Sequence, residues 1–347
     1  MSAHIRAIRL VNFRNYAGAT ALLSPGLNVL VGENAQGKTN LLEALAFVVS
    51  GSSPRTPNDS EVVRWGEGFV RVEARVVDGG HERRLAVGYA PGSRKRLTVD
   101  GAPVESLARY AAGVAGVRAV TFFPDDLRVV KGSPSDRRSF LDALLSSLRP
   151  AYARAAAEYA RAVQQRNQLL RRIRDGLSSE RTLATWDRKV VELGLVLLEG
   201  RAAAAAPLDE HFRASMRALY GPQKAAVGYS YSATPERYAQ ALREAHSADI
   251  ERGTTSVGPH RDDLRILLEG VDLTTYGSQG GEPLLALKFA ARDYIRDATG
   301  QDPVLLFDDV MSELDERRRD YLAGCFLEST QAVISTTNLR YFEPGAL

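Results

Sequence analysis

Gly32-Glu33-Asn34-Ala35-Gln36-Gly37-Lys38-Thr39 decides how this sequence is read. It fits the pattern GxxxxGKT, and its flanks supply the context the pattern needs. Leu27 to Val31 is a short apolar run that reads as a buried strand. Lys38 to Val49 repeats Leu41, Leu42, Leu45 and Val49 at helical spacing, and Gly51 stops it. Glycines at a strand-to-helix turn let main-chain N–H groups converge on an anion, and the helix N-terminus adds positive dipole. In such a loop Lys38 reaches the β- and γ-phosphates of a nucleotide, and the Thr39 hydroxyl ligates Mg²⁺.

A second stretch completes the chemistry. Val304-Leu305-Leu306-Phe307-Asp308-Asp309 is a buried strand ending in an acidic pair. Asp308 is placed to hold Mg²⁺, and Asp309 to orient or deprotonate an attacking water. Lys38 and Asp308 stand 270 residues apart, so something large is inserted between the two halves of the site. No Asn-Lys pair occurs, which favours ATP over a guanine nucleotide by omission. Ser278-Gln279-Gly280-Gly281 precedes a helix at Pro283, again an anion-binding arrangement. Its position before the acidic strand resembles the signature segment of ABC-type ATPases, with Ser278 and Gly280 as its contacts to nucleotide. Met311-Ser312-Glu313-Leu314-Asp315 resembles a D-loop, and Ser335-Thr336-Thr337-Asn338 follows the last strand, where such ATPases keep a polar switch residue.

The composition is that of a soluble globular chain of 347 residues, 44% hydrophobic and 25% charged. Net charge is +3, a weak hint of a polyanionic partner. Only 6 of the 45 cations are lysine, which reads either as a compositional bias or as a preference for the arginine fork at phosphates. A single cysteine, Cys325, rules out a disulfide framework. The first residues lack an apolar signal-peptide core, and the longest apolar stretch is too short to cross a bilayer. A cytoplasmic location without membrane attachment is expected.

Along the chain, Ile5 to Phe13 reads as a strand. Residues 69–77, 85–89 and 97–99 alternate as an antiparallel subsheet, and 117–123 is a further strand. From Ser135 to about Met216 the sequence turns helical. Runs at 151–174 and 183–206 are joined by a turn at Gly176 to Ser179, and Pro207 is expected to kink the second. This predicts an antiparallel pair with an arm of roughly 36 Å. Strands return at 227–231 and 264–268, then a helix at 283–299, a strand at 304–307, a helix at 315–328 and a strand at 332–335. The expected fold is α/β, an ABC/SMC-head-like P-loop ATPase domain with an inserted, mostly helical arm. Residues 1–125 and 245–347 form the head, and 126–244 the insert.

Asn12-Phe13-Arg14-Asn15-Tyr16, the phosphate loop with Asn40-Leu41-Leu42-Glu43-Ala44, and Phe123-Pro124-Asp125-Asp126-Leu127 resemble the RecF family of DNA replication and repair proteins. So do Gly132-Ser133-Pro134, Arg137 to Asp142, and Gly258-Pro259-His260-Arg261-Asp262-Asp263-Leu264. The resemblance runs from residue 5 to about 340. It implies a head that dimerises on ATP, with Ser278 capping the γ-phosphate held by the other subunit. It also implies ATP-dependent binding of double-stranded DNA, recombinase loading at single-strand gaps with RecR and RecO, and slow hydrolysis that serves as a switch. Arg55, within Ser53-Pro54-Arg55-Thr56, and Asn40 are implied nucleotide contacts. The segment departs from the family at Gly281-Glu282-Pro283, where Glu282 either competes with phosphate or turns away and supports the helix dipole. Gly258 to Leu264 has no assigned role, and its aspartates also read as a plain turn.

Residues 137–188 hold eleven Arg or Lys against five acids, whereas 301–347 hold four Arg against nine acids. The insert is the basic part. Arg171, Arg172 and Arg174 are its candidate contacts to DNA phosphates, with a solvated helix face as the plain alternative. A transporter's nucleotide-binding subunit needs the same Lys38, Asp309 and Ser278, but keeps its signature nearer the phosphate loop than the 240 residues seen here.

Overall fold

The computed structural model describes residues 3–113, 116–276 and 281–342. The chain begins with β1 (His4–Phe13), β2 (Tyr16–Leu22), β3 (Gly26–Val31) and helix α1 (Lys38–Ser50). Then come β4 (Val70–Asp78), β5 (His81–Tyr89), β6 (Arg96–Val99), β7 (Ala102–Pro103), α2 (Leu107–Ala111) and β8 (Ala119–Phe122). The helical stretch is α3 (Arg128–Lys131), α4 (Pro134–Leu148), α5 (Pro150–Arg174) and α6 (Leu183–Tyr220). β9 (Ala225–Ser230), α7 (Pro235–Glu244), α8 (His246–Arg252), β10 (Asp263–Leu268), β11 (Val271–Asp272) and α9 (Leu273–Tyr276) follow. The last elements are α10 (Gly281–Thr299), β12 (Val304–Asp308), α11 (Glu316–Glu328) and β13 (Gln331–Thr336).

Three sheets organise the described residues. The antiparallel one runs β2-β1-β4-β5-β6-β7, the parallel one β3-β13-β12-β8, and a small one β11-β10-β9. The period of two is plain in β4, where Val70, Val72, Ala74 and Val76 are buried. The expected subsheet is therefore present, with β1 added through its pairing to β4. β2 gave no signal in the sequence, because its seven residues include Gly18 and three alanines.

α1 lies between the antiparallel and parallel sheets, touching β4 and β5 on one side and β12 and β13 on the other. Every residue from Leu42 to Val49 is buried, as befits a helix enclosed on all faces. On the opposite face of the parallel sheet, Phe307 of β12 packs on Phe289 of α10 and Phe326 of α11. The phosphate loop and the acidic strand are thus anchored in two rigid cores.

α5 and α6 pack side by side. Gly200 allows the close approach: a Cβ there would stand 2.7 Å from the Tyr152 ring. The expected end of the second helix at residue 206 is corrected, since α6 runs on through Pro207 to Tyr220. Proline removes one N–H, but Pro207 and Ala203, whose carbonyl loses its partner, are both exposed, so that carbonyl is not stranded in the core. At ~1.5 Å per residue the helix is about 57 Å long, and its later part packs along α10. α7 and α8 occupy a stretch for which no helix was expected.

The basic insert uses part of its charge internally. Arg166 is fully buried, with Nη1 2.7 Å from Asp249 and Nε 2.7 Å from Asp187. Arg201 pairs with Asp142 at 2.8 Å, and Arg137 with Asp263 at 2.7 Å.

Candidate nucleotide site

The phosphate loop leaves β3 and enters α1 through Gly37, whose φ of 98° lies in the left-handed region. A Cβ at Gly37 would stand 2.8 Å from Asn15 Nδ2 and 2.9 Å from the Tyr16 hydroxyl. Both the backbone conformation and the space therefore demand glycine. The Lys38 ammonium donates to the carbonyls of Gly32 and Glu33, the latter at 2.7 Å, so its charge sits inside the curl of the loop. Asn40 donates to Asn15 at 2.8 Å, and Tyr16 donates to the Gly37 carbonyl at 3.2 Å. The Asn15-Tyr16 turn thus braces the loop from outside, a role no local pattern announces.

The two halves of the site meet. Thr39 Oγ1 donates to Asp308 Oδ2 at 2.7 Å across 269 residues of chain. The hydroxyl of Ser335, near the end of β13, donates to the other Asp308 oxygen and accepts the Asp309 N–H at 3.0 Å. Asp309 itself has φ 48°, a strained backbone for a non-glycine residue. Its Oδ2 accepts from Ser312 at 3.1 Å, while Oδ1 is buried with no protein partner among the described residues. A carboxylate oxygen aimed inward without a donor suits a group that must receive a proton.

Glu43 is the organising residue that the sequence alone did not single out. It is fully buried in α1 and binds Arg14 through both oxygens, at 2.6 and 3.0 Å. It also accepts from Ser53 at 2.6 Å and from Arg55 at 3.2 Å. Arg55 reaches Asn40 at 3.4 Å and Asp125 at 3.4 Å, so it stands beside the first turn of α1. Arg14 comes from the β1–β2 turn, and Ser53 and Arg55 from the loop that follows α1, so the fold joins them at Glu43.

Ser278 and Gly280 lie outside the described residues. Glu282, just beyond them, pairs with Arg318 of α11 at 2.9 Å. The Arg318 guanidinium in turn lies 4.7 Å from the Tyr220 ring at the end of α6.

Comparison with known proteins gives a consistent result. An AAA domain model matches residues 7–94, the span around the phosphate loop. The DNA replication and repair protein RecF of Heliobacterium modesticaldum is 38% identical over 356 aligned positions, covering 99% of this chain and 95% of the relative. The chain belongs to the RecF family. RecF of Myxococcus xanthus is 39% identical, with 95% and 90% covered. The solved recombination mediator protein RecF-ATPrS in the RecFOR pathway superposes with a TM-score of 0.90 at 31% identity, covering 99% of this chain and 94% of that one. The Smc head domain of Pyrococcus furiosus, at 17% identity and a TM-score of 0.53, shares the fold. The ABC-type P-loop head expected from the sequence is thus shown, and with it membership in a DNA replication and repair family.

In this RecF-family chain Gly258 to Leu264 is a hub rather than a turn. Arg201 of α6 donates to the Pro259 carbonyl at 2.7 Å, and Tyr159 of α5 meets His260 Nδ1 at 2.7 Å. Asp262 accepts from Tyr229 and from the Ser232 N–H, each at 2.6 Å, and Asp263 takes both arms of Arg137. Burial lowers the His260 pKa to about 4, so the ring is neutral, with Nε2–H facing the Thr255 carbonyl at 3.0 Å. Arg171, Arg172 and Arg174 stand exposed on the last turn of α5, remote in sequence from the loop and acidic strand. No helix among the described residues is long and apolar enough to cross a membrane.

Proposed function

We propose that the chain acts in DNA replication and repair as an ATP-operated, non-sequence-specific DNA-binding switch. In this reading two copies pair when ATP binds, and the pair grips double-stranded DNA at the edge of a single-strand gap. The observation that carries it is the 2.7 Å bond between Thr39 and Asp308, which brings the phosphate loop and the acidic strand into one site. The RecFOR pathway in which the solved relative is placed makes RecR and RecO the partners of choice. Residues 1–125 and 245–347 serve as the head, and 126–244 as the arm.

Each residue has a task. The main-chain N–H groups from Gly32 to Thr39 cradle the phosphates, and Lys38 exchanges its loop carbonyls for phosphate oxygens. Asp309 takes the proton of the water that attacks the γ-phosphate. Ser278 and Gly280 of the second copy cap that phosphate. Thr39 and Asp308 are two hard oxygen donors side by side, which suits Mg²⁺, an ion that binds through one or two protein groups plus phosphate and water. Bound there, the ion would neutralise charge on the β- and γ-phosphate oxygens.

Sedimentation with and without ATP, and with and without gapped duplex, tests the reading. Dimers that require ATP, and duplex binding that requires the dimer, are expected. Lys38→Met should remove both, and Asp309→Asn should retain the dimer while slowing hydrolysis at least about a hundredfold. Duplex binding that ignores ATP and Lys38 would overturn the switch.

A further inference from the structure

A cavity of about 430 Å³ opens where α1, α2 and β8 meet α4, α5 and α10. That volume is typical of a small-molecule site. None of Lys38, Thr39, Asp308 or Asp309 lines it, so it is separate from the nucleotide site. Val49, Leu107, Phe140, Leu144 and Ile295, with a run of alanines, make most of its wall. Its floor is β8, the edge strand of the parallel sheet.

The charges in the wall are one-sided. Its lining includes Arg118 and Lys288 and no aspartate or glutamate. Lys288 is already neutralised by Asp126 at 2.8 Å, with the Phe140 ring beside it. Arg118 is not. Its Nε donates to the Ser147 carbonyl at 2.8 Å and its Nη2 to the Ala112 carbonyl at 3.1 Å, both neutral acceptors. Among the described residues no carboxylate reaches it, and burial holds its pKa below the usual arginine value with no acid to offset the shift. A fixed guanidinium in an apolar wall, lacking a counter-charge, is costly and ready for an anion.

We propose that this cavity binds an amphipathic organic anion, with an apolar body of aromatic-ring size against the alanine-rich walls and a single carboxylate or sulfonate on Arg118. The site stands apart from the nucleotide reading. It is nonetheless connected to it: Ser52, Ser53 and Pro54 form part of the wall, and the Ser53 hydroxyl is bonded to Glu43 of the nucleotide site.

Two fluorescent probes with the same ring system provide the test. 8-Anilinonaphthalene-1-sulfonate carries the anion, and N-phenyl-1-naphthylamine lacks it. Titrated into the full chain, both should saturate at a single site. Arg118→Met should weaken the sulfonate probe about tenfold or more and the uncharged probe by less than about twofold. Ala143→Phe fills the cavity from α4 and Ala291→Phe from α10; each should abolish saturable binding of both probes. Two filling variants from different walls, checked by thermal melting, keep the test open should one fail to fold. The proposal falls if the wild-type chain shows no saturable site, if a folded filling variant binds as the wild type does, or if Arg118→Met leaves the two affinities in their original ratio.

Discussion

His260 shows what a single side chain contributes to a junction. Its ring accepts from Tyr159 at Nδ1 and faces the Thr255 carbonyl at Nε2, with Arg138, Arg261 and Asp262 nearby. Burial lowers its pKa from 6.5 to about 4, so the unfolded chain takes up a proton before the folded chain does. The stabilising contribution is complete above the unfolded value and is lost as pH falls from about 6.5 toward 4, amounting to about 3 kcal/mol in all. Urea midpoints measured between pH 7 and 4 should fall for the wild-type chain and fall less steeply for His260→Gln. Equal slopes would show that the ring does not titrate as placed. Single residues also mark the limits of reading a sequence. The phosphate loop was legible because its eight positions are contiguous and their spacing is itself the chemistry. Glu43 was visible only as part of a motif, since Arg14 reaches it from the β1–β2 turn and Ser53 and Arg55 from the loop after α1. Gly258 to Leu264 was unassigned for the same reason: its partners lie on α4, α5, α6 and β9.

Among the elements, α6 departs furthest from its sequence. The sequence places its end at residue 206 with a kink at Pro207, yet the helix continues, with hydrophobic residues buried on both sides of the proline. Leu208 and Phe212 beyond the proline are buried, as is Ala204 before it. Packing of the buried face thus overrides the lost hydrogen bond. Because Pro207 is exposed and carries the cost of proline in a helix interior, Pro207→Ala should stabilise the chain by about 1 to 3 kcal/mol, read as a raised melting temperature. A lowered one would show that the proline serves the packing. α6 also reaches the nucleotide half of the molecule through Tyr220, Arg318 and Glu282. The Glu282–Arg318 bond should yield a coupling energy of about 0.5 to 1 kcal/mol in a double-mutant cycle with Glu282→Gln and Arg318→Gln, both groups being partly exposed. Additive effects would mean that the pair is incidental. The strong elements β1, β4, β12 and α10 were legible from periodicity. β2 was not, its residues having little strand preference, and α7 and α8 are short, although Pro235 at the first turn of α7 and its buried Tyr238 and Leu242 carry a helical signal.

Over the whole molecule, charge is divided. The basic excess of 137–188 belongs to the helical insert and the acidic excess to the last strands and helices, but Arg137 and Arg166 are buried in ion pairs and unavailable to a partner. What remains outward includes Arg171, Arg172 and Arg174, the last in an exposed pair with Asp175 at 3.1 Å. Replacing all three by alanine should reduce the slope of log affinity for duplex against log salt, by about 0.9 for each phosphate no longer neutralised. An unchanged slope would move the DNA site elsewhere on the surface.

The parallel sheet has a bearing on how the protein is made. Among the described residues β3 finds its ladder partner only in β13, Gly26 pairing with Gln331 and Val31 with Thr336. At ribosomal speeds of ~5 to 20 residues per second, roughly 15 to 60 seconds separate the synthesis of the two strands. During that interval the phosphate loop has left the exit tunnel, but the wall that fixes it does not yet exist. A nascent chain stalled before β13 should therefore be unable to retain nucleotide, and the newborn protein must wait for that strand before its phosphate loop is held in place.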